Sequence, residues 1–164
     1  MTMAYTNGSA VFSTDAILDS LASSTTLVAG YESGVITNST DTHLLSGRFK
    51  TNNTAPTVNT TIEVWVIPTW DVGGTATYPD VFDGTESAET VTYRNVLFQS
   101  GFRAALFVVD ATANRVYEFS NVNIAQLCGE MPKKYVVFVT QNTGQALNAT
   151  ASNGGQCWYQ PITY

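Results

Sequence analysis

The chain has 164 residues, 44% of them hydrophobic and only 12% charged, which is enough for one complete core and too little for two ordinary domains. A net charge of −6 with a pI near 4.5 repels phosphate backbones and leaves no basic stripe, so nucleic acid is excluded as an expected partner. Polarity comes instead from Thr, Ser, Asn and Gln, a neutral hydrogen-bonding surface suited to contact with proteins or sugars.

In chain order, residues 1–12 are small and uncharged and lack the cationic start and continuous apolar stretch of a secretory signal. They read as a flexible arm that drapes over a partner subunit, with Met3, Tyr5 and Val11 as candidate contacts. Residues 13–164 read as a single domain. It opens with Ser13 to Ser23, where Ile17, Leu18 and Leu21 at helical spacing behind Ser, Thr and Asp start signals indicate one short helix or turn.

From residue 24 onward, short runs of β-branched and aromatic residues alternate with Gly, Asn, Asp and Pro, the pattern of strands and turns. Strands are expected at Leu27 to Tyr31, Gly34 to Asn38, Leu44 to Thr51, Thr61 to Thr69, Val91 to Gln99, Arg103 to Asp110, Val116 to Ser120 and Tyr135 to Gln141. Gln156 to Thr163 forms a terminal ninth. In the fourth, Ile62, Val64 and Val66 share a core face, while Glu63 and Trp65 share a face that is only partly wet. The runs Ala104 to Val109 and Tyr135 to Val139 are apolar on both faces, so each is expected at the centre of its sheet with cover on both sides. No dozen-residue amphipathic helices separate the strands. The expected class is therefore all-β, an antiparallel β-sandwich of jelly-roll-like kind with one short N-terminal helix or turn. Trp70 to Thr90 is a loop long enough to be functional, and it is the segment expected to protrude.

Residues able to carry chemistry are few. His43 is the only histidine, no nucleophile-elbow sequence accompanies it, and it reads as an ordinary residue and not a catalytic one. Asp71, Asp80, Asp83, Glu86 and Glu89 populate the long loop, but Asp80-Val-Phe-Asp83-Gly84 lacks the alternating acidic pattern and closing Glu of a calcium loop and reads as a turn. No metal or cofactor is expected; Cys128 and Cys157 read first as two packed thiols, with a bridge open to them only if their segments lie side by side. Lys133 and Lys134 read as strand-flanking gatekeepers. Asn-x-Ser/Thr triplets at Asn7, Asn38, Asn52, Asn59 and Asn148 read as by-products of composition. Aromatic residues near turns are the better signal, because Tyr and Trp give rigid amphipathic contact area. Trp65 and Phe107 are assigned to the core, and Trp70, Tyr78 and Phe82, with Asp80 and Asp83, are the candidate partner-binding residues. Trp158, Tyr159 and Tyr164 are further aromatic candidates. The chain is expected to be a binding protein and not an enzyme.

The segments LASSTTLVAGYESGVITN, IEVWVIPTWD, TYPDVFDGT and PKKYVVFVTQNTGQALN, followed by WYQPITY, resemble a family of small proteins encoded among the head genes of tailed bacteriophages, over most of the chain from about Leu21. The resemblance implies a capsid accessory protein, of cement or decoration type with a jelly-roll sandwich, that binds the outer surface of an icosahedral shell of major capsid protein. It implies no catalytic residues. The expected partners are the major capsid protein and sister copies, most simply as a trimer, with a dimer as the alternative. No membrane partner is expected, because no window approaches the ~20 apolar residues of a span. The expected location is the virion surface after synthesis in the host cytoplasm. A carbohydrate-binding tail or head-fibre module is the alternative reading.

Overall fold

The computed structural model describes residues 4–5, 8–14, 16–71, 75–149 and 154–163, the first pair through their backbone alone. Two antiparallel sheets pack face to face. In sheet A, β1 (Ala4–Tyr5), β11 (Gly155–Thr163), β5 (Thr42–Lys50) and β9 (Val116–Asn123) lie side by side, and β2 (Ser9–Ala10) also pairs with β11. In sheet B the order is β7 (Ser87–Thr90), β3 (Ala29–Glu32), β10 (Lys134–Gln141), β6 (Thr61–Thr69) and β8 (Phe102–Val108), and β4 (Ile36–Thr37) joins the end of β10. The chain crosses between sheets at each step from β8 to β11, so its strands wrap the core instead of forming hairpin after hairpin.

The core between the sheets holds Leu45 and Phe49 from sheet A and Ile62, Val64, Val66, Tyr135, Val137 and Val139 from sheet B, all fully buried. A second core lies on the opposite face of sheet B. There Trp65, Ile67, Val136 and Phe138 are covered by Tyr78, Phe82, Val91 and Leu97. This cover is why β10 is buried on both faces. Burying a large apolar side chain contributes about 1.5–3 kcal/mol, so roofing a sheet face with four such residues is a major part of the stability.

Several expectations need correction. The face of β6 carrying Glu63 and Trp65 is dry, because both lie beneath that cover. Val91 to Gln99 is not a strand: it contains most of a short helix, α1 (Arg94–Ser100). Its β-branched and aromatic content favours a strand, but Leu97 anchors in the second core, and tertiary contact overrides a weak local preference. Ala104 to Val109 is not central either. It forms most of β8, at the edge of sheet B, where Ala105 and Phe107 pack inward while Leu106 and Val108 are 42% and 57% exposed. Phe107 is a half-buried member of the core, with its ring 6.0 Å from that of Phe49 and 5.8 Å from that of Tyr117.

Residues 16–20 make turns closed by Asp19 N–H to Ala16 C=O and Leu21 N–H to Leu18 C=O bonds, so this segment is a turn and not an α-helix. The described part of residues 1–12 does not extend away from the domain. Ala4 and Tyr5 pair with Thr163 and Ile162, Ser9 and Ala10 pair with Tyr159 and Trp158, and Val11 and Phe12 are buried in the main core.

Candidate interaction surface

The long loop folds back onto sheet B instead of protruding. Two of its three aromatic residues lie on the buried side: Phe82 packs edge-on against Phe138 with centroids 5.3 Å apart, and Tyr78 shares the same core. The acidic residues are engaged in local structure. Asp80 accepts from the Thr92 N–H at 2.7 Å and the Thr92 hydroxyl at 2.6 Å, and Asp83 closes an Asx turn on the Thr85 N–H at 2.7 Å. Glu86 accepts from the Ser13 N–H at 2.6 Å and from its hydroxyl. The loop ends as an edge strand, β7. Tyr78 and Phe82, expected as partner-binding residues, therefore belong to the cover's inner side, while Asp80 and Asp83 fix its turns.

Of the five residues expected as partner-binding in and beside the loop, Trp70 alone presents a large apolar surface, at 46% exposure. Val11 is buried, Tyr5 is placed only by its pairing with Ile162, and Met3 lies outside the described residues. Trp70 stands at one side of a groove of about 380 Å³ lined also by Pro68, Pro79, Phe98 and Phe102. Sequence reasoning missed Phe98, which is 54% exposed; its position depends on α1, which had been read as strand. Farther along β8, past Arg103, Leu106 and Val108 are also open to solvent. They share the outer face of sheet B because Leu106 lies opposite Glu63 and Val108 opposite Thr61.

A buried charge network holds this surface in place. Glu63, 2% exposed, accepts from Arg94 Nη2 at 2.7 Å and from Trp65 Nε1 at 3.0 Å, with Arg103 Nη1 at 3.9 Å. The Arg94 guanidinium lies 5.2 Å from the Phe98 ring centroid, and Arg103 lies 5.7 Å from that of Trp65. Phe98 in turn meets Trp65 edge-on at 5.1 Å. Both carboxylate oxygens are satisfied, and the cation–π contacts orient the guanidinium planes. Helix α1 is thereby pinned to the sheet through Arg94, which fixes where Phe98 stands.

A second concavity, of about 450 Å³, lies over the outer face of sheet A. Trp158, 38% exposed, shares it with Arg48, Glu118, Gln156 and Ser120. Arg48 and Glu118 face each other at 3.7 Å, so the site is locally neutral.

The residues able to do chemistry are committed elsewhere. His43 is buried between sheets, its Nδ1 2.8 Å from the Tyr135 hydroxyl and its ring stacked 4.8 Å from Tyr159. Burial pushes its pKa down to about 4, so the ring stays neutral. Cys128 and Cys157 are free thiols; burial pushes Cys128 up to about 12 and raises Cys157 as well, which keeps the nucleophilic thiolate unpopulated at neutral pH. Among the described residues no group of three or more His, Cys, Asp or Glu is arranged to hold a metal ion. What the geometry offers is contact surface: an aromatic groove and exposed apolar residues of β8 on sheet B, and a polar, Trp-based concavity on sheet A. No protein-family model, no curated protein and no solved structure matches the chain.

Proposed function

We propose that the domain is a non-catalytic attachment protein, an accessory protein of cement or decoration type that binds the outer surface of an icosahedral bacteriophage capsid and ties neighbouring capsomers together. The observation that carries the attachment role is the groove where Trp70 and Phe98 stand open to solvent, together with the exposed Leu106 and Val108 on the edge strand β8 of the same sheet. Such patches on a folded domain mark interaction sites, and the rigid Glu63 network beneath this one lowers the entropic cost of docking. The choice of a capsid rests on the resemblance of the sequence to phage head proteins. A ligand that binds only the assembled shell shifts assembly by mass action, and many copies make weak individual sites sufficient. Sister copies would meet at the free edges of β8 and β9, with a trimer the preferred assembly.

The test is co-sedimentation with emptied capsids, comparing the unaltered protein with a Trp70→Ala, Phe98→Ala, Val108→Ser triple variant. Loss of binding by a folded triple variant supports the assignment, and undiminished binding refutes it.

A glycan-binding reading is favoured by one separate observation, the sheet A concavity. Trp158 offers a flat apolar face for a sugar ring, and Gln156, Arg48, Glu118 and Ser120 offer hydrogen-bonding groups around it. The two readings occupy different faces. Trp158→Ala should abolish glycan binding measured on the isolated protein while leaving capsid binding intact, and the triple variant should do the reverse.

A further inference from the structure

Two carboxylates are buried beneath the outer cover of sheet B, and they are treated differently. Glu63 has two arginines and an indole N–H. Glu32, on β3 and fully buried, has one Oε1 contact, from the Gly84 N–H at 2.8 Å, and its Oε2 has no hydrogen-bond partner. The Tyr78 hydroxyl, buried in the same cover, is likewise without one. Among the described residues these are the only buried side-chain polar atoms left unsatisfied. Such atoms are costly in a native interior and call for an explanation.

The charged groups facing Glu32 make its position worse. Asp83 from the loop and Glu89 from β7 both act on it with like charge, and the titratable Tyr78 lies close enough to feel its field. From β10 it is faced by Phe138, which carries no charge. Burial, reinforced by those two carboxylates and only partly offset by the Gly84 and Asp83 backbone N–H groups, pushes Glu32 up to about 7.

What lies over Glu32 is a single strap of chain. Gly84 touches it by its N–H and is held on its other side by the Val35 N–H donating to its carbonyl at 3.2 Å. Gly84 has φ +81°, and a Cβ there would stand 2.3 Å from Val35 Cγ2, so the strap lies as close to the β3–β4 connection as a glycine allows. The same strap bears Tyr78 and Phe82.

We propose that residues 75–86 form a latch seated on Glu32, closed when that carboxyl is neutral and released when it is charged, so that opening presents Tyr78 and Phe82 beside the Trp70 groove as additional contact surface. A charged Glu32 under the closed strap has only the Gly84 and Asp83 backbone N–H groups against two like-charged neighbours, whereas in the open state water solvates it. Folded pKa above open-state pKa means that closure is fully favoured below the ordinary carboxylate value and weakens as pH rises toward 7. The difference between about 7 and the usual 4.5 makes the opening equilibrium rise about tenfold per pH unit over that span, to a plateau roughly 300-fold higher. The latch is independent of which partner the groove meets, and its test needs none.

The experiment is backbone hydrogen exchange followed by NMR from pH 4.5 to 8, corrected for intrinsic exchange. The expected result is that protection at Gly84 falls by two orders of magnitude or more while Val137 in β10 keeps its protection, and that Glu32→Gln removes the pH dependence at Gly84. Asp83→Asn, which deletes one like charge, should move the wild-type transition to lower pH even where the Glu32 variant folds poorly. Constant protection of Gly84 across the range, loss in step with Val137, or an unchanged transition in both variants overturns the latch.

Discussion

Replacing Arg94 by Met tests whether the Glu63 network holds α1 in place. The substitution keeps the aliphatic bulk over Phe98 and removes the 2.7 Å ion pair to a carboxylate that is 2% exposed. Breaking a buried pair from one side costs about 3–5 kcal/mol, since the remaining charge stays buried. Two features reduce that figure: the Arg94 side chain is itself 27% exposed, and Arg103 remains 3.9 Å from the same oxygen. The expected loss is therefore about 2 kcal/mol, or roughly 4–8 °C in Tm for a domain of this size. Equilibrium urea unfolding of wild type, Arg94→Met, Glu63→Gln and the double variant gives the measurement. The double variant should be less destabilised than the sum of the singles, because each partner alone leaves the other unmatched. Additive losses, or an Arg94→Met effect below about 0.5 kcal/mol, refute the reasoning, and α1 must then be held by Leu97 alone. Capsid binding should weaken in Arg94→Met even at temperatures where it is fully folded, since Phe98 depends on the helix.

Acid response should expose His43. With its pKa held down to about 4 against an ordinary 6.5, its contribution is complete above 6.5 and is lost as pH falls toward 4, about 3 kcal/mol in all. Glu32 runs the other way over nearly the same range, so Glu32→Gln should uncover an acid-side loss in urea melts between pH 7 and 4 that the wild type masks; parallel curves for the two proteins would count against this. Val137→Asp should abolish folding by placing a charge in the main core, whereas Val108→Asp, on the open edge, should change stability by less than about 1 kcal/mol and reduce partner binding; thermal melts separate them. Gly84→Ala should cost about 1–3 kcal/mol through its left-handed backbone and the Val35 clash, and more than Gly129→Ala, which has a similar φ of +86° but open space at the Cβ position.

Strand β6 was legible to the residue, since Thr61 to Thr69 has both period-two alternation and turn residues on each side. The two-sided apolar run at Tyr135 to Val139 correctly indicated a covered central strand. The same argument failed at Ala104 to Val109, because composition alone does not distinguish a strand roofed on its outer face from one whose apolar residues are left open at an edge. That ambiguity concealed part of the interaction surface. Tyr78 and Phe82 were read outward because a turn-rich loop gives no sign of which face its aromatics turn to. Glu63 carried a signal that went unused: a lone carboxylate within Ile62-Glu63-Val64-Trp65 needs a cation if that face is dry, and Arg94 and Arg103 were the candidates. Glu32 had no such signal, because its environment is made by a loop some fifty residues away.

The pairing of Ala4 with Thr163 and of Ser9 with Tyr159 has a consequence for how the molecule is made. Strand β11 joins β5 to both N-terminal strands, so sheet A lacks its middle until the last residues of this segment have left the ribosome. Contacts spanning nearly the whole sequence slow folding, and until closure the flanks of β5 and the N-terminal strands offer unpaired edges to neighbouring chains. Once closure is complete, Ala4 and Thr163 lie one strand spacing apart, about 4.8 Å. A circularly permuted chain, with β11 joined to β1 by a short linker and opened in the 52–58 loop, should keep the fold with β5 in place of β11 as the last strand made.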